Sequence, residues 1–220
     1  MFVLVFALVL VALGGQPGAS REESPPPNLE PRTVLVLGDS LAAGYGLDPA
    51  EAFPALLQKR VGDAGLRFTV VNAGLSGDTS SSGLRLLDWL LRRPVDVLLL
   101  ELGGNDGLRG IPLGITRTNL QAIIDRTKAK FPRARVVVLG MRMPPNMGPD
   151  YMESFQKLYP DLAKKNDAAL VPFLLEGVGG KPSLNLPDQI HPTAEGHKIL
   201  ADNVWIVLQP VLEEVASPKR

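Results

Sequence analysis

The stretch Val34-Leu35-Val36-Leu37-Gly38-Asp39-Ser40-Leu41 constrains the fold of this 220-residue chain more than any other. Its apolar half, with residue 33, predicts a strand buried on both faces, and its polar half predicts a turn that carries a serine. Four similar apolar runs follow at residues 68–72, 95–100, 135–139 and 169–173, separated by segments with helical spacing. This alternation favours an α/β fold with one open, doubly wound parallel sheet.

The composition excludes several classes of protein. Lys plus Arg balances Asp plus Glu at 23 residues each, which removes the main argument for nucleic acid or an anionic membrane surface as a partner. The chain has no cysteine, so disulfides, thiolate catalysis, cysteine-based zinc sites and a lipidated cysteine anchor are all excluded. The length suits one domain with a substantial core.

The first 31 residues differ in character from the rest. Residues 2–13 are uninterrupted apolar and small residues follow, which predicts a signal peptide over residues 1–19. A helix of that length covers about 18 Å, short of the roughly 30 Å hydrocarbon core, so no stable membrane anchor is expected. Residues 20–31 form a Pro-rich lead-in to a folded domain at 32–215, and the protein is expected to be exported, to the periplasm or beyond. No Lys or Arg precedes the apolar run, which leaves an uncleaved tail as the alternative.

Four polar clusters follow predicted strands or precede the last predicted helix, at residues 38–40, 74–79, 103–106 and 188–191. Taken singly, each is typical of a turn, a glycine-rich loop or a surface histidine. Ligands of doubly wound sheets bind beyond the carboxyl ends of the strands. We therefore expect all four clusters to lie at one edge of the sheet.

Together the clusters supply what acyl transfer requires. Ser40 would be the nucleophile, and His191 would be the base that its weakly acidic hydroxyl needs. Asp188, three residues before the histidine, would hold the imidazole in the correct tautomer. The backbone N–H groups of Ser40 and Gly77 and the side-chain amide of Asn105 are suitable donors for an oxyanion.

The competing candidates are weaker. The second histidine of the chain, His197, falls within the last predicted helix, where we expect a surface residue. Ser76 lies in a near miss to the Gly-x-Ser-x-Gly elbow, because Asp78 replaces the last glycine. His191 and His197 are six residues apart, unlike histidines that bind metal from one helical face. We expect neither a metal nor a cofactor.

The four clusters, in this order, resemble the motif blocks of the SGNH (GDSL) hydrolase family over about residues 33–212. The longer strings at 72–79 and 102–110 resemble its bacterial multifunctional esterases, which act on acyl-CoA, lysophospholipids and aryl esters. The resemblance implies a three-layer α/β/α flavodoxin-like fold with a five-stranded parallel sheet. It also implies a Ser-His-Asp triad at Ser40, His191 and Asp188, with an oxyanion hole at Ser40, Gly77 and Asn105. Gln189 departs from the pattern, since these esterases often have glycine there.

The substrate pocket is less clearly encoded. Met141 and Met143 suit an acyl-chain wall, although they suit gap-filling under a Pro-rich loop equally well. Residues 107–112, which include Gly107, Leu108 and Arg109, are expected to move over bound acyl chains because glycines leave the backbone loosely constrained. The main hypothesis is a monomeric esterase for small-molecule or lipid esters and thioesters. A polysaccharide or peptidoglycan deacetylase with the same triad is the alternative, and a non-catalytic binding module is a remote third.

Overall fold

A computed structural model describes residues 31–217 of the chain. The predicted signal peptide and all but the last residue of the Pro-rich lead-in lie outside the described residues. The predicted α/β fold is confirmed: five parallel strands form one sheet in the order β2-β1-β3-β4-β5. The strands are β1 (Arg32–Gly38), β2 (Phe68–Asn72), β3 (Val97–Glu101), β4 (Arg135–Leu139) and β5 (Ala169–Val171).

The strand order produces a switch point between β1 and β3. The chain leaves β1 towards β2 on one side and returns to β3 on the other, and Gly38 faces Glu101 in the resulting register. In doubly wound sheets, ligand-binding crevices lie beyond the carboxyl ends of the strands at such a point. The strands on both sides are buried along almost their whole length, as their unalternating apolar sequences predicted.

Helices cover both faces of the sheet. They are α1 (Ser40–Ala43), α2 (Phe53–Asp63), α3 (Ser80–Leu90), α4 (Gly104–Leu108), α5 (Leu113–Lys130), α6 (Pro149–Asn166) and α7 (Ala194–Ala216). On one face α2 packs against α7, and on the other α5 packs against both α3 and α6. Within residues 31–217, the search for a helix with the length and hydropathy of a membrane span finds none.

His197 corrects one expectation from the sequence, because it is a core residue of α7 and not a surface residue. Its side chain is 1% exposed, and its Nδ1 accepts a hydrogen bond of 3.1 Å from the backbone N–H of Phe53. That N–H is one of the donors that the first turn of α2 leaves without a helical partner. Burial lowers the pKa of His197 to about 4, so the imidazole is neutral in the folded protein.

The neutral state of His197 predicts a pH dependence of stability. The unfolded chain binds a proton at this histidine near pH 6.5, whereas the folded chain binds it only near pH 4. Stability should therefore fall as the pH drops through this window, by about 3 kcal/mol in total. His197→Asn keeps an acceptor for the Phe53 N–H but does not titrate. Urea unfolding at pH 7 and at pH 4 measures the loss of stability between the two pH values. This loss should be smaller in His197→Asn than in the wild type, and equal losses would contradict this account.

Candidate active site

Ser40 lies where β1 gives way to α1. Asp39 caps this short helix, because its side chain accepts a hydrogen bond of 3.0 Å from the backbone N–H of Leu41. The cap fixes the turn so that Ser40 is the first helical residue. Its hydroxyl Oγ lies 2.9 Å from Nε2 of His191, which comes from the other end of the chain. The structure thus brings together the predicted nucleophile and the predicted base.

Asp188 lies on the far side of the His191 ring, in the turn before α7. Its Oδ2 is 2.7 Å from Nδ1 of His191, and its Oδ1 accepts hydrogen bonds from the backbone N–H groups of Ile190 and His191. These hydrogen bonds lower the pKa of Asp188 to about 2. Because an ionised carboxylate can only accept, Nδ1 must carry the proton, which leaves Nε2 to accept one from Ser40.

Tyr45 is a site residue that the sequence did not reveal. Its ring lies against the His191 imidazole with 4.4 Å between the ring centroids and 36° between the planes. The contact restricts the tilt of the imidazole, which Asp188 holds only along one edge. Tyr45 follows the serine motif by five residues, but no spacing rule connects it to a histidine 146 positions later, so only the folded structure shows the contact.

The three predicted oxyanion donors differ in their availability. The backbone N–H groups of Ser40 and Gly77 donate to no other group within residues 31–217. Gly77 has φ of 83°, a conformation that favours glycine. In contrast, the amide nitrogen of Asn105 is 3.0 Å from both Oδ2 of Asp39 and the carbonyl oxygen of Asp78. Both of its hydrogens are therefore engaged, so Asn105 ties α4 to the Gly77 loop and would have to weaken one of these bonds to meet an oxyanion.

The residues predicted for the substrate pocket divide into two groups. Met141 and Met143 are buried, and Gly107 is a buried residue of α4 rather than part of a loose loop. A side chain at Gly107 would overlap with Met143 and Phe155, so close packing, and not mobility, explains this glycine. Leu108 is 45% exposed, and the guanidinium group of Arg109 donates to the carbonyl oxygen of Gly77 at 3.0 Å. Arg109 therefore contacts the Gly77 loop, and Leu108 is the exposed residue before it.

Gln189, the departure from the family pattern, adopts a conformation that favours glycine. Its φ is 60°, in the left-handed region, which costs roughly 1–2 kcal/mol for an L-residue. Both its backbone N–H and its side-chain amide donate to the carbonyl oxygen of Leu186, at 2.9 Å and 3.1 Å. The second of these hydrogen bonds offsets part of the strain, so the turn between Asp188 and His191 forms without the glycine.

Comparisons with known proteins agree with this fold. Residues 36–199 match the GDSL-like lipase/acylhydrolase family. Esterase TesA of Pseudomonas aeruginosa is 45% identical over 82% of this chain and 90% of its own length. Thioesterase 1/protease 1/lysophospholipase L1 of Escherichia coli K12 is 41% identical over 82% of this chain and 85% of its own length. The solved structure of TesA superposes with a TM-score of 0.79 at 44% identity, covering 82% of this chain and 99% of that one. The chain therefore belongs to the GDSL-like lipase/acylhydrolase family.

Proposed function

We propose that this protein is a serine esterase that hydrolyses carboxylic esters and thioesters, with Ser40 as nucleophile, His191 as general base and Asp188 as the group that orients the base. The observation that supports it most is the continuous hydrogen-bonded series from the Asp188 carboxylate through the His191 imidazole to the Ser40 hydroxyl, with spacings of 2.7 Å and 2.9 Å. Acyl transfer by serine requires a nucleophile, a base and an orienting acid within such distances.

The reaction proceeds in two steps, acylation of Ser40 and hydrolysis of the acyl-enzyme. His191 takes the hydroxyl proton as Oγ of Ser40 forms a bond to the carbonyl carbon, and it then gives that proton to the departing alcohol or thiol. The acyl group is left on Ser40. A water molecule next gives a proton to His191 and attacks the acyl carbon, and Oγ leaves and regains the proton. No cofactor is needed, because the serine itself carries the acyl group.

The hydrogen-bond donors beside Ser40 stabilise the negative charge that develops on the carbonyl oxygen. The N–H groups of Ser40 and Gly77 are available, and Asn105 supplies a third donor when its bond to the Asp78 carbonyl yields. Each such donor contributes about 3 kcal/mol of transition-state stabilisation in comparable sites. The Asp188 carboxylate meanwhile stabilises the imidazolium that forms when His191 holds the proton.

The rim of the site favours substrates with an apolar acyl or aryl group. Tyr45, Leu75, Leu108 and Ile190 are each 45–53% exposed. Tyr45 contacts His191, Ile190 precedes His191 in the sequence, Leu108 precedes Arg109, and Leu75 is two residues before Gly77. Large apolar side chains exposed together mark a surface for an apolar ligand. A surface of this kind supports lipid and aryl esters over acetylated sugars, and the names of the two relatives, esterase and thioesterase/lysophospholipase, favour the same class.

Replacement of the serine tests the proposed nucleophile. Ser40→Ala should abolish both turnover of p-nitrophenyl esters and labelling by a fluorophosphonate probe, because Ser40 supplies the hydroxyl that hydrogen-bonds to the His191 imidazole. Ser76→Ala, which removes the rival serine of the neighbouring loop, should keep both. Retained turnover in Ser40→Ala, or a labelled peptide that contains another serine, would contradict the assignment.

The apolar rim predicts how truncation changes chain-length preference. Leu108→Ala should lower kcat/KM for a p-nitrophenyl ester of medium chain length by about three- to tenfold, since buried apolar groups contribute about 0.8 kcal/mol per methylene. Activity on the acetyl ester should hardly change. Ile206→Ala, at a 74% exposed position on α7, is the matched control. Equal losses of kcat/KM on both esters would show that Leu108 supports the fold and does not contact the acyl chain. Activity of the wild type confined to acetyl esters would favour the deacetylase alternative.

We also propose that residues 1–19 are a signal peptide, that residues 20–31 connect it to the hydrolase domain at 32–215, and that the mature enzyme works in the periplasm or outside the cell as a monomer. The support is the twelve-residue apolar run followed by small residues, and a site that draws all its groups from one chain. Intact-mass and sedimentation measurements on the exported protein test this, and a species that begins at Met1 would contradict it.

A further inference from the structure

A glutamate lies at the buried end of β3, beside the turn that carries Ser40. All five residues of β3 are buried, and the last of them, Glu101, is 0% exposed. In the sheet register it faces Gly38 at the end of β1. Burial of a carboxyl group is costly unless the group is neutral or well paired. Its presence in a strand otherwise built from valine and leucine indicates a specific role.

The contacts of Glu101 lead directly to the serine turn. Its Oε2 accepts a hydrogen bond of 2.9 Å from the backbone N–H of Asp39, the residue before Ser40. Its Oε1 is buried and has no hydrogen-bond partner within residues 31–217. A Cβ atom at Gly38 would overlap with the Glu101 carboxyl group, so this glycine is the residue that makes room for it.

The side chain of Asp39 extends these contacts to the other half of the site. It is 3% exposed, and its two oxygens accept hydrogen bonds from the Leu41 N–H on α1 and from the Asn105 amide on α4, each at 3.0 Å. Asp39 therefore joins the helix of the nucleophile to the helix of an oxyanion donor. Glu101 fixes the backbone of Asp39 by accepting the hydrogen bond from its N–H.

Burial, together with the charge of Asp39 beside Glu101, opposes ionisation of both carboxyl groups at once. Burial raises the pKa of Asp39 to about 6, and burial together with the negative charge of Asp39 raises the pKa of Glu101 well above its ordinary value. The Leu41 N–H and Asn105 amide donors favour the ionised form of Asp39. The hydrogen bond that Glu101 accepts comes from a neutral backbone N–H group, that of Asp39.

Tyr159, which packs near this pair, is a neutral neighbour. Burial and nearby carboxyl groups raise the pKa of its phenol well above the ordinary value, and its hydroxyl donates to the carbonyl oxygen of Leu102. Burial of two neighbouring carboxyl groups favours the state in which the pair retains one proton.

Resting on the proposed ester hydrolysis at Ser40, we propose that Glu101 is a positioning residue of the oxyanion hole. Glu101 and Asp39 hold one proton between them, and the neutral Glu101 carboxyl group keeps Asp39 in place. The ionised side chain of Asp39 then fixes both the start of α1 and the Asn105 amide. Because the pair acts on groups that meet the oxyanion, it affects kcat more than KM.

Two substitutions separate this role from simple support of the fold. Glu101→Ala removes the acceptor of the Asp39 N–H, and kcat should fall on the order of tenfold to a hundredfold, with KM little changed, since the loss of an oxyanion donor itself costs about 10²–10³. Glu101→Gln keeps the shape and the acceptor and should restore most of that loss. Glu153→Gln, at an exposed ion pair with Lys157 on α6, is the matched control and should change neither parameter.

Infrared spectroscopy tests the shared proton without any reference to activity. The difference spectrum between wild type and Glu101→Gln at neutral pH should contain the C=O band of a protonated carboxyl group, and its absence would overturn the proposal. Equal losses of kcat in folded Glu101→Ala and Glu101→Gln would overturn it as well, as would a Glu101→Ala variant that lowers only Tm. Retained turnover in Ser40→Ala would instead overturn the proposed function, while the infrared result would stand.

Discussion

The Asp39 carboxylate makes the interaction on which the arrangement of the site depends. It accepts a hydrogen bond from the start of α1 and another from the Asn105 amide on α4. Asn105 in turn donates to the carbonyl oxygen of Asp78, which holds the Gly77 loop. One buried side chain therefore links three segments that follow three different strands. His191 and Asp188, the proposed base and its orienting acid, come from the turn before α7.

The sheet was predictable because its strands are buried on both faces. Two strands, β2 and β4, have the bounds that their apolar runs predicted. The third differs at both ends: Asp96 pairs with Thr33 before the strand begins, and the strand closes on Glu101, a charged residue that no hydropathy rule places inside a sheet. The fifth strand ends at Val171, one residue before Pro172, which has no N–H to donate to a neighbouring strand.

The position of the site was predictable because parallel strands end at a common edge, so motifs far apart in sequence had to converge there. Residue type and spacing selected Ser40, Asp188 and His191, and the structure brings these three side chains within hydrogen-bond distance of each other in series. What the sequence missed depends on packing between distant elements. His197 was expected at the surface but accepts a hydrogen bond from a backbone N–H of α2, and Tyr45 contacts His191 from another loop. No local pattern encodes such contacts.

Proton NMR of the His191 ring tests the central claim, the ordered series of Asp188, His191 and Ser40, most directly. The chain has two histidines, and the Nδ1 of His197 accepts a hydrogen bond, so a far-downfield Nδ1–H signal belongs to His191. We expect one such signal in the wild type. The signal should be lost in Asp188→Asn and should persist in His197→Asn. A signal that survives Asp188→Asn, or a wild type without it, would contradict the account.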